Sequence, residues 1–192
     1  MQQRLLTQLI LITTFSFIVT GCNLTSDNSD SELKTTEQRR SIETVIDDEK
    51  LERMAIDALY NNRDLWKNSE IEIVSFNKIL LLIGQTPTNS LKQKAESLVN
   101  SIQGIDKIYN EIRVAAPASS LTYLSDISLT SKVKTALFSE DDLDSTKVKV
   151  VTEDGEVFLL GLVNQREADK AIDITRNVSG VKRVIQAFQI TP

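Results

Sequence analysis

The sequence predicts an α+β fold made of two tandem αββαβ units, each a small three-stranded mixed sheet with two helices on one face. Three features carry this expectation: an internal repeat, a helical burial period opening each repeat, and a two-residue hairpin signal inside each. The repeat is read by setting IVSFNKILLLIGQ (73–85) over VVTEDGEVFLLGL (150–162). Gly84 then falls on Gly161 and Asn77-Lys78 on Asp154-Gly155, an offset of 77. AESLVNSIQGIDKIYNEIRV (95–114) lies over AIDITRNVSGVKRVIQAFQI (171–190) at an offset of 76.

Each unit opens with a helix. Leu51, Ala55, Ala58 and Leu59 correspond to Leu129, Val133, Ala136 and Leu137. Both quartets have the i, i+4, i+7, i+8 spacing of a helix burying one face. Asp47 or Asp48 is expected to cap the first of these helices, and Ser125 or Asp126 the second. Two strands follow, joined by Asp154-Gly155 in the second unit, a strong hairpin signal, and by the weaker Asn77-Lys78 in the first. The second helix of the later unit is expected to open with a capping box, Asn164 and Glu167. It should end at Gly180, and its counterpart at Gly104. The closing strands alternate: Ile108, Asn110, Ile112 and Val114 in one unit, and Val184, Gln186, Phe188 and Ile190 in the other. A helix between the second and third strands makes that pair parallel. One strand does not alternate. Ile79 to Ile83 is apolar on both sides, so its second face must also be covered, and the other unit is the expected cover. The boundaries are therefore 46–115 and 121–192, with a short linker between them containing Pro117.

The stretch FSFIVTGCNLT (15–25) holds the single cysteine. A short basic start, Met1 to Arg4, precedes an apolar run from Leu5 to Val19. That run is shorter than the roughly 20 apolar residues a bilayer span needs, and it has the order of a secretory signal. VTGC resembles the lipobox of bacterial lipoproteins, with Val19 in the usual leucine place. This implies a signal peptide at 1–21, cleavage before Cys22, and acylation of Cys22, palmitate included. Asn23 points to the outer membrane. Residues 22–45 are polar and read as the lipidated end and a flexible tether.

IYNEIR (108–113), VKVVTEDGEVFLLGLVNQREADKAIDITRNVSGVKRV (148–184) and IGQTP (83–87) resemble the dual-BON-domain outer-membrane lipoproteins over residues 45 to 192. The resemblance implies a periplasm-facing protein that binds anionic phospholipid through the first helix of its second domain and supports cell-envelope integrity. On this chain that helix is roughly Ser128 to Phe138, and Ser128, Leu129 and Lys132, with Lys182 and Arg183, are the candidate lipid-binding residues. Lys134 is a further basic candidate. One departure is clear: Ser128 stands where the family has a tryptophan, with Tyr123 and Leu124 a turn upstream.

The chain has no histidine, and its cysteine is assigned to the anchor, which argues against a catalytic role, a metal site or a cofactor. Segments 23–45, 46–115 and 121–192 each carry a net charge of −2, so no segment is basic enough to attract nucleic acid in bulk. The topology resembles RNA-binding KH modules, but SGVK is not their GxxG loop. No small-molecule substrate is implied. The expected partner is an anionic phospholipid membrane. The alternative is a protein-binding adaptor for outer-membrane assembly or division machinery. Trp66, expected in a loop after the first helix, is either an interfacial anchor or the edge of a core.

Overall fold

The computed structural model describes residues 41–192. The expected signal peptide, Cys22 and most of the expected tether lie outside the described residues. The order is α1 (Ile42–Tyr60), α2 (Arg63–Asn68), β1 (Glu70–Phe76), β2 (Ile79–Thr86), α3 (Asn89–Val99), β3 (Lys107–Asn110) and β4 (Arg113–Val114). The second repeat continues with α4 (Ser120–Phe138), a 3₁₀ turn at Ser145–Lys147, β5 (Val148–Glu153), β6 (Glu156–Val163), α5 (Gln165–Arg176) and β7 (Arg183–Ile190).

Both sheets are mixed as expected. β2 lies between β1, antiparallel to it, and β3, parallel to it; β6 lies likewise between β5 and β7. The first sheet has four strands because its last one is broken at Glu111-Ile112. There the Asn110 side chain accepts from the Ile112 amide at 3.3 Å and the Ile112 side chain is buried in the core. The chain then resumes beside β2 as β4. Both hairpin turns have left-handed backbones, at Asn77 and Lys78 and at Asp154 and Gly155, as two-residue turns that match strand twist require.

Every residue of β2 is buried. Leu80 and Leu82 face the helices with Ala55, Leu59, Ala95 and Val99. Ile79, Leu81 and Ile83 face the other way, into a cluster with Val74, Phe76, Phe158, Leu160 and Ala187. That cluster draws on both sheets, so the two repeats pack sheet against sheet with helices outside. A third cluster around Leu129, Val133, Leu137, Val157 and Leu159 sits under α4 and α5. Around the inter-sheet core, Arg113 pairs with Asp154 and Arg183 lies 3.5 Å from Glu111. Asn77 bonds Gln189, and Gln85 bonds Glu153.

Several local expectations are corrected. α1 starts at Ile42, inside the expected tether, with Ser41 as its cap. α4 starts at Ser120 with Ser119 as its cap, so the helix absorbs the end of the expected linker. Asp48 and Asp126 are not caps. Both are buried mid-helix and clamp the hairpin of their own repeat. Asp48 accepts from the Asn77 and Lys78 amides at 2.6 and 2.9 Å, and Asp126 from the Asp154 and Gly155 amides at 2.7 and 2.8 Å. The carboxylate supplies the acceptors that these tight-turn amides would otherwise lack inside the fold. α3 and α5 stop at Val99 and Arg176 and are capped by Asn100 and Asn177. Gly104 and Gly180 come later and turn the loops toward the third strands at φ 94° and 106°. The capping box of Asn164 and Glu167 is present.

Leu81→Asp is expected to unfold both repeats together. It removes a buried leucine, worth about 2–5 kcal/mol, and adds a carboxylate with no partner. Thermal unfolding should show one transition, lowered by on the order of 10 °C or more. Two separate transitions, with only the first repeat affected, would contradict a shared core.

Candidate membrane-facing surface

α4 has nineteen residues and is about 28 Å long. Its Ser119 cap accepts from the Thr122 amide at 3.2 Å. One face buries Asp126, Leu129, Val133 and Leu137 against the second sheet. The other face is also apolar. Leu121, Tyr123, Leu124, Ile127 and Phe138 are 78, 66, 61, 49 and 78% exposed.

Three hydroxyls on or just past this face are bonded back to the helix. Ser131 Oγ donates to the Ile127 carbonyl at 3.1 Å, and Thr135 Oγ1 to the Ser131 carbonyl at 2.9 Å. Ser139 Oγ donates to the Thr135 carbonyl at 2.9 Å. Hydroxyls folded back onto the helix present no orphan donor to an apolar phase. The only carboxylate of α4 is Asp126, which is buried and occupied by the hairpin turn. Lys132 and Lys134 are exposed, and among the described residues neither is paired with a carboxylate. The surface is therefore apolar with two free cations on a chain of net charge −5.

Of the candidate residues, Ser128 and Lys132 are exposed on α4. Leu129 does not. It is 4% exposed and belongs to the core. Lys182 and Arg183 are exposed at the hairpin end of the repeat, but both are engaged. Lys182 Nζ is 2.9 Å from Asp154, and Arg183 is 3.0 Å from Glu156. Asp154 is held below the usual carboxylate range by its bonds to Lys182 and Arg113. The sequence reading did not include Leu121, Ile127 and Phe138, whose signal was an apolar residue off the buried stripe.

α1 occupies the same place in the first repeat but is acidic outside. Glu43, Asp47, Glu49, Glu52 and Asp57 are set against Lys50 and Arg53. Trp66 lies on the short helix α2, not in a loop. It is 60% exposed, with its ring 4.4 Å from that of Tyr60. Beside it, a groove between the repeats is lined by Glu70, Glu72, Glu153 and Tyr123. Glu72 is exposed at the rim of the groove, but partial desolvation there pushes its carboxyl up, and the Glu153 charge pushes it further; Lys149 partly offsets this and Glu52 adds to it. Glu153 is also raised, chiefly by burial and against the bond from Gln85.

The described residues contain no helix long and apolar enough to cross a membrane. Two α–β repeats stacked sheet to sheet leave the outer face of α4 exposed and free of carboxylates. The BON domain model matches residues 47–116 and 125–192, and the chain belongs to the BON-domain family. It is 39% identical over 150 residues to the outer membrane lipoprotein DolP of Haemophilus influenzae, covering 78% of each chain. It is 38% identical over 149 residues to a 21 kDa hemolysin of Actinobacillus pleuropneumoniae, covering 78% of this chain and 77% of that one. It is 27% identical over 165 residues to the osmotically-inducible protein Y of Escherichia coli, covering 84 and 82%. The relation to DolP supports an outer-membrane lipoprotein with two BON domains.

Glu72→Gln should stabilise the fold at pH 7. A carboxyl raised above its ordinary 4.5 opposes folding when ionised, and the penalty disappears as pH falls toward 4.5 and both states take up the proton. The variant should melt higher than the parent at pH 7 and alike at pH 4. Equal melting at pH 7 would mean that Glu72 is fully solvated.

Proposed function

We propose that this protein is anchored through Cys22 in the outer membrane, faces the periplasm, and binds anionic phospholipid through the outer face of α4 in its second BON domain. Supporting envelope integrity, rather than catalysis, is the role we assign to it. The observation that carries the reading is the α4 surface itself: exposed apolar residues in its first two turns and at Phe138, Ser131 and Thr135 hydroxyls bonded back to the helix, two unpaired lysines, and no exposed carboxylate.

Such a helix lies in the membrane interface with its apolar side chains in the headgroup–acyl boundary. Leu124, Ile127 and Phe138 supply that contact, with Tyr123 as an amphipathic ring near the start of the helix. Lys132 and Lys134 meet anionic headgroups for on the order of 1 kcal/mol each. That is weak for a free protein. It becomes effective when an acyl anchor already holds the domain near the bilayer, because binding is then intramolecular. Lys182 and Arg183 add less, since each already has a carboxylate partner.

Co-sedimentation of the soluble chain from Asn23 onward with phosphatidylglycerol vesicles tests the lipid site. Binding should exceed that to phosphatidylcholine and fall as salt shortens the Debye length. Lys132→Glu changes the charge by two and should cost about 2 kcal/mol, or roughly thirtyfold in affinity. Ser128→Trp should strengthen binding, because the ring gains from the interface. Both positions are exposed, so the fold should be unaffected. Binding that ignores salt, headgroup and both substitutions would rule out α4 as the lipid site.

A further inference from the structure

The first sheet has an open edge. β1 pairs only with β2, and the pair Phe76–Ile79 closes its two-residue turn. By the alternation of an antiparallel ladder, Phe76, Val74, Glu72 and Glu70 bond to β2, while Ser75, Ile73 and Ile71 direct their amides and carbonyls outward. The edge is closed at Ser75 alone. Its amide donates to Glu52 at 2.7 Å, its carbonyl accepts from Lys149 at 3.3 Å, and those two side chains pair at 3.5 Å. At Ile73 and Ile71 no side chain does the same among the described residues. Native edges are usually blunted along their length.

The two faces beside this edge differ in chemistry. On the helix side, Ile56, Tyr60, Leu65, Trp66, Ile71 and Ile73 line an apolar slot of about 90 Å³. On the sheet side, every charged residue lining the adjoining groove (Glu70, Glu72, Asp126 and Glu153) is a carboxylate. A strand added to β1 would continue both faces, with side chains alternating between them. The slot would take its apolar side chains, and Glu70, Glu72 and Glu153 its cations.

We infer that the open edge of β1 is a docking site for an extended segment of a partner protein in which apolar and basic side chains alternate. The second repeat carries the corresponding groove with different lining. Phe138 replaces Tyr60, Val148 and Val150 replace Ile71 and Ile73, and Lys134 replaces Ile56, with Ser145 and Thr146 nearby and no carboxylate. The slot is common to both repeats; the acidic groove beside β1 is built from Glu70 and Glu72 of the first repeat and Asp126 and Glu153 of the second. The start of α4, Tyr123 included, also lines this groove, so binding here would leave the outer face free only from Leu124 onward.

The probe is a capped ten-residue peptide alternating valine and lysine, titrated into the soluble chain from Asn23 onward. Trp66 is the only tryptophan and reports directly from the slot. Saturable one-to-one binding is expected, with a change in Trp66 emission and shifted Ile71 and Ile73 amide resonances. Binding should weaken at least tenfold when two central valines become prolines, which keeps the charge but prevents strand pairing. It should weaken similarly with Glu72→Lys, and be absent for the valine–glutamate peptide. The inference is overturned if the peptide does not bind, or binds equally with prolines or with Glu72→Lys. It is also overturned if Trp66 responds instead to phosphatidylglycerol vesicles or to concentration of the chain alone, since lipid or a second copy would then be the occupant.

Discussion

The constraint on which the structure depends is the second face of each sheet. Helices cover one face of each three- or four-stranded sheet, and the central strands β2 and β6 are apolar on both. Leaving Ile79, Leu81, Ile83, Phe158 and Leu160 to water would forfeit roughly 1.5–3 kcal/mol per large side chain. Each repeat is the cheapest cover for the other. Once the sheets are paired, α1 with α3 and α4 with α5 become the two outer layers. Anything these domains bind must then use an outer helix or a sheet edge.

The two outer layers have diverged in charge from a common plan. The buried aspartates show the common part: Asp48 and Asp126 sit at equivalent places and each holds its own hairpin through two turn amides. The exposed residues show the divergence. α1 is crowded with carboxylates, whereas α4 has lost them all from its surface and kept two lysines. On an acidic chain, such local differences set the sign of the field at each outer face, because exposed charges act only over about a Debye length. The pairing of Lys182 and Arg183 with carboxylates reduces their share of that balance.

Much of the fold was legible because it rests on local chemistry. Asp154-Gly155 named a turn, Asn164 and Glu167 named a cap, and the unbroken run Ile79–Ile83 named a strand buried on both sides. Helix starts were harder. Aspartate is a favoured cap, so Asp48 and Asp126 read as caps, and only tertiary structure shows their carboxylates reaching a turn about 28 residues away. The site was half legible. Burial periodicity finds Leu129 and Val133 because they repeat, but it assigns them to the core. It cannot find Leu121, Ile127 or Phe138, which are apolar and exposed off the buried stripe. The acidic groove was not legible at all, since Glu72 and Glu153 meet only because the two sheets stack.

The central claim is that membrane contact is confined to the outer face of α4 and leaves the rest of the paired repeats as they are. Hydrogen-exchange mass spectrometry of the chain with and without phosphatidylglycerol vesicles tests this most directly. The account predicts added protection over residues 120–138, with β1 and α1 unchanged. Protection that falls on α1 or β1, or exchange that rises across both sheets as the repeats separate, would contradict it.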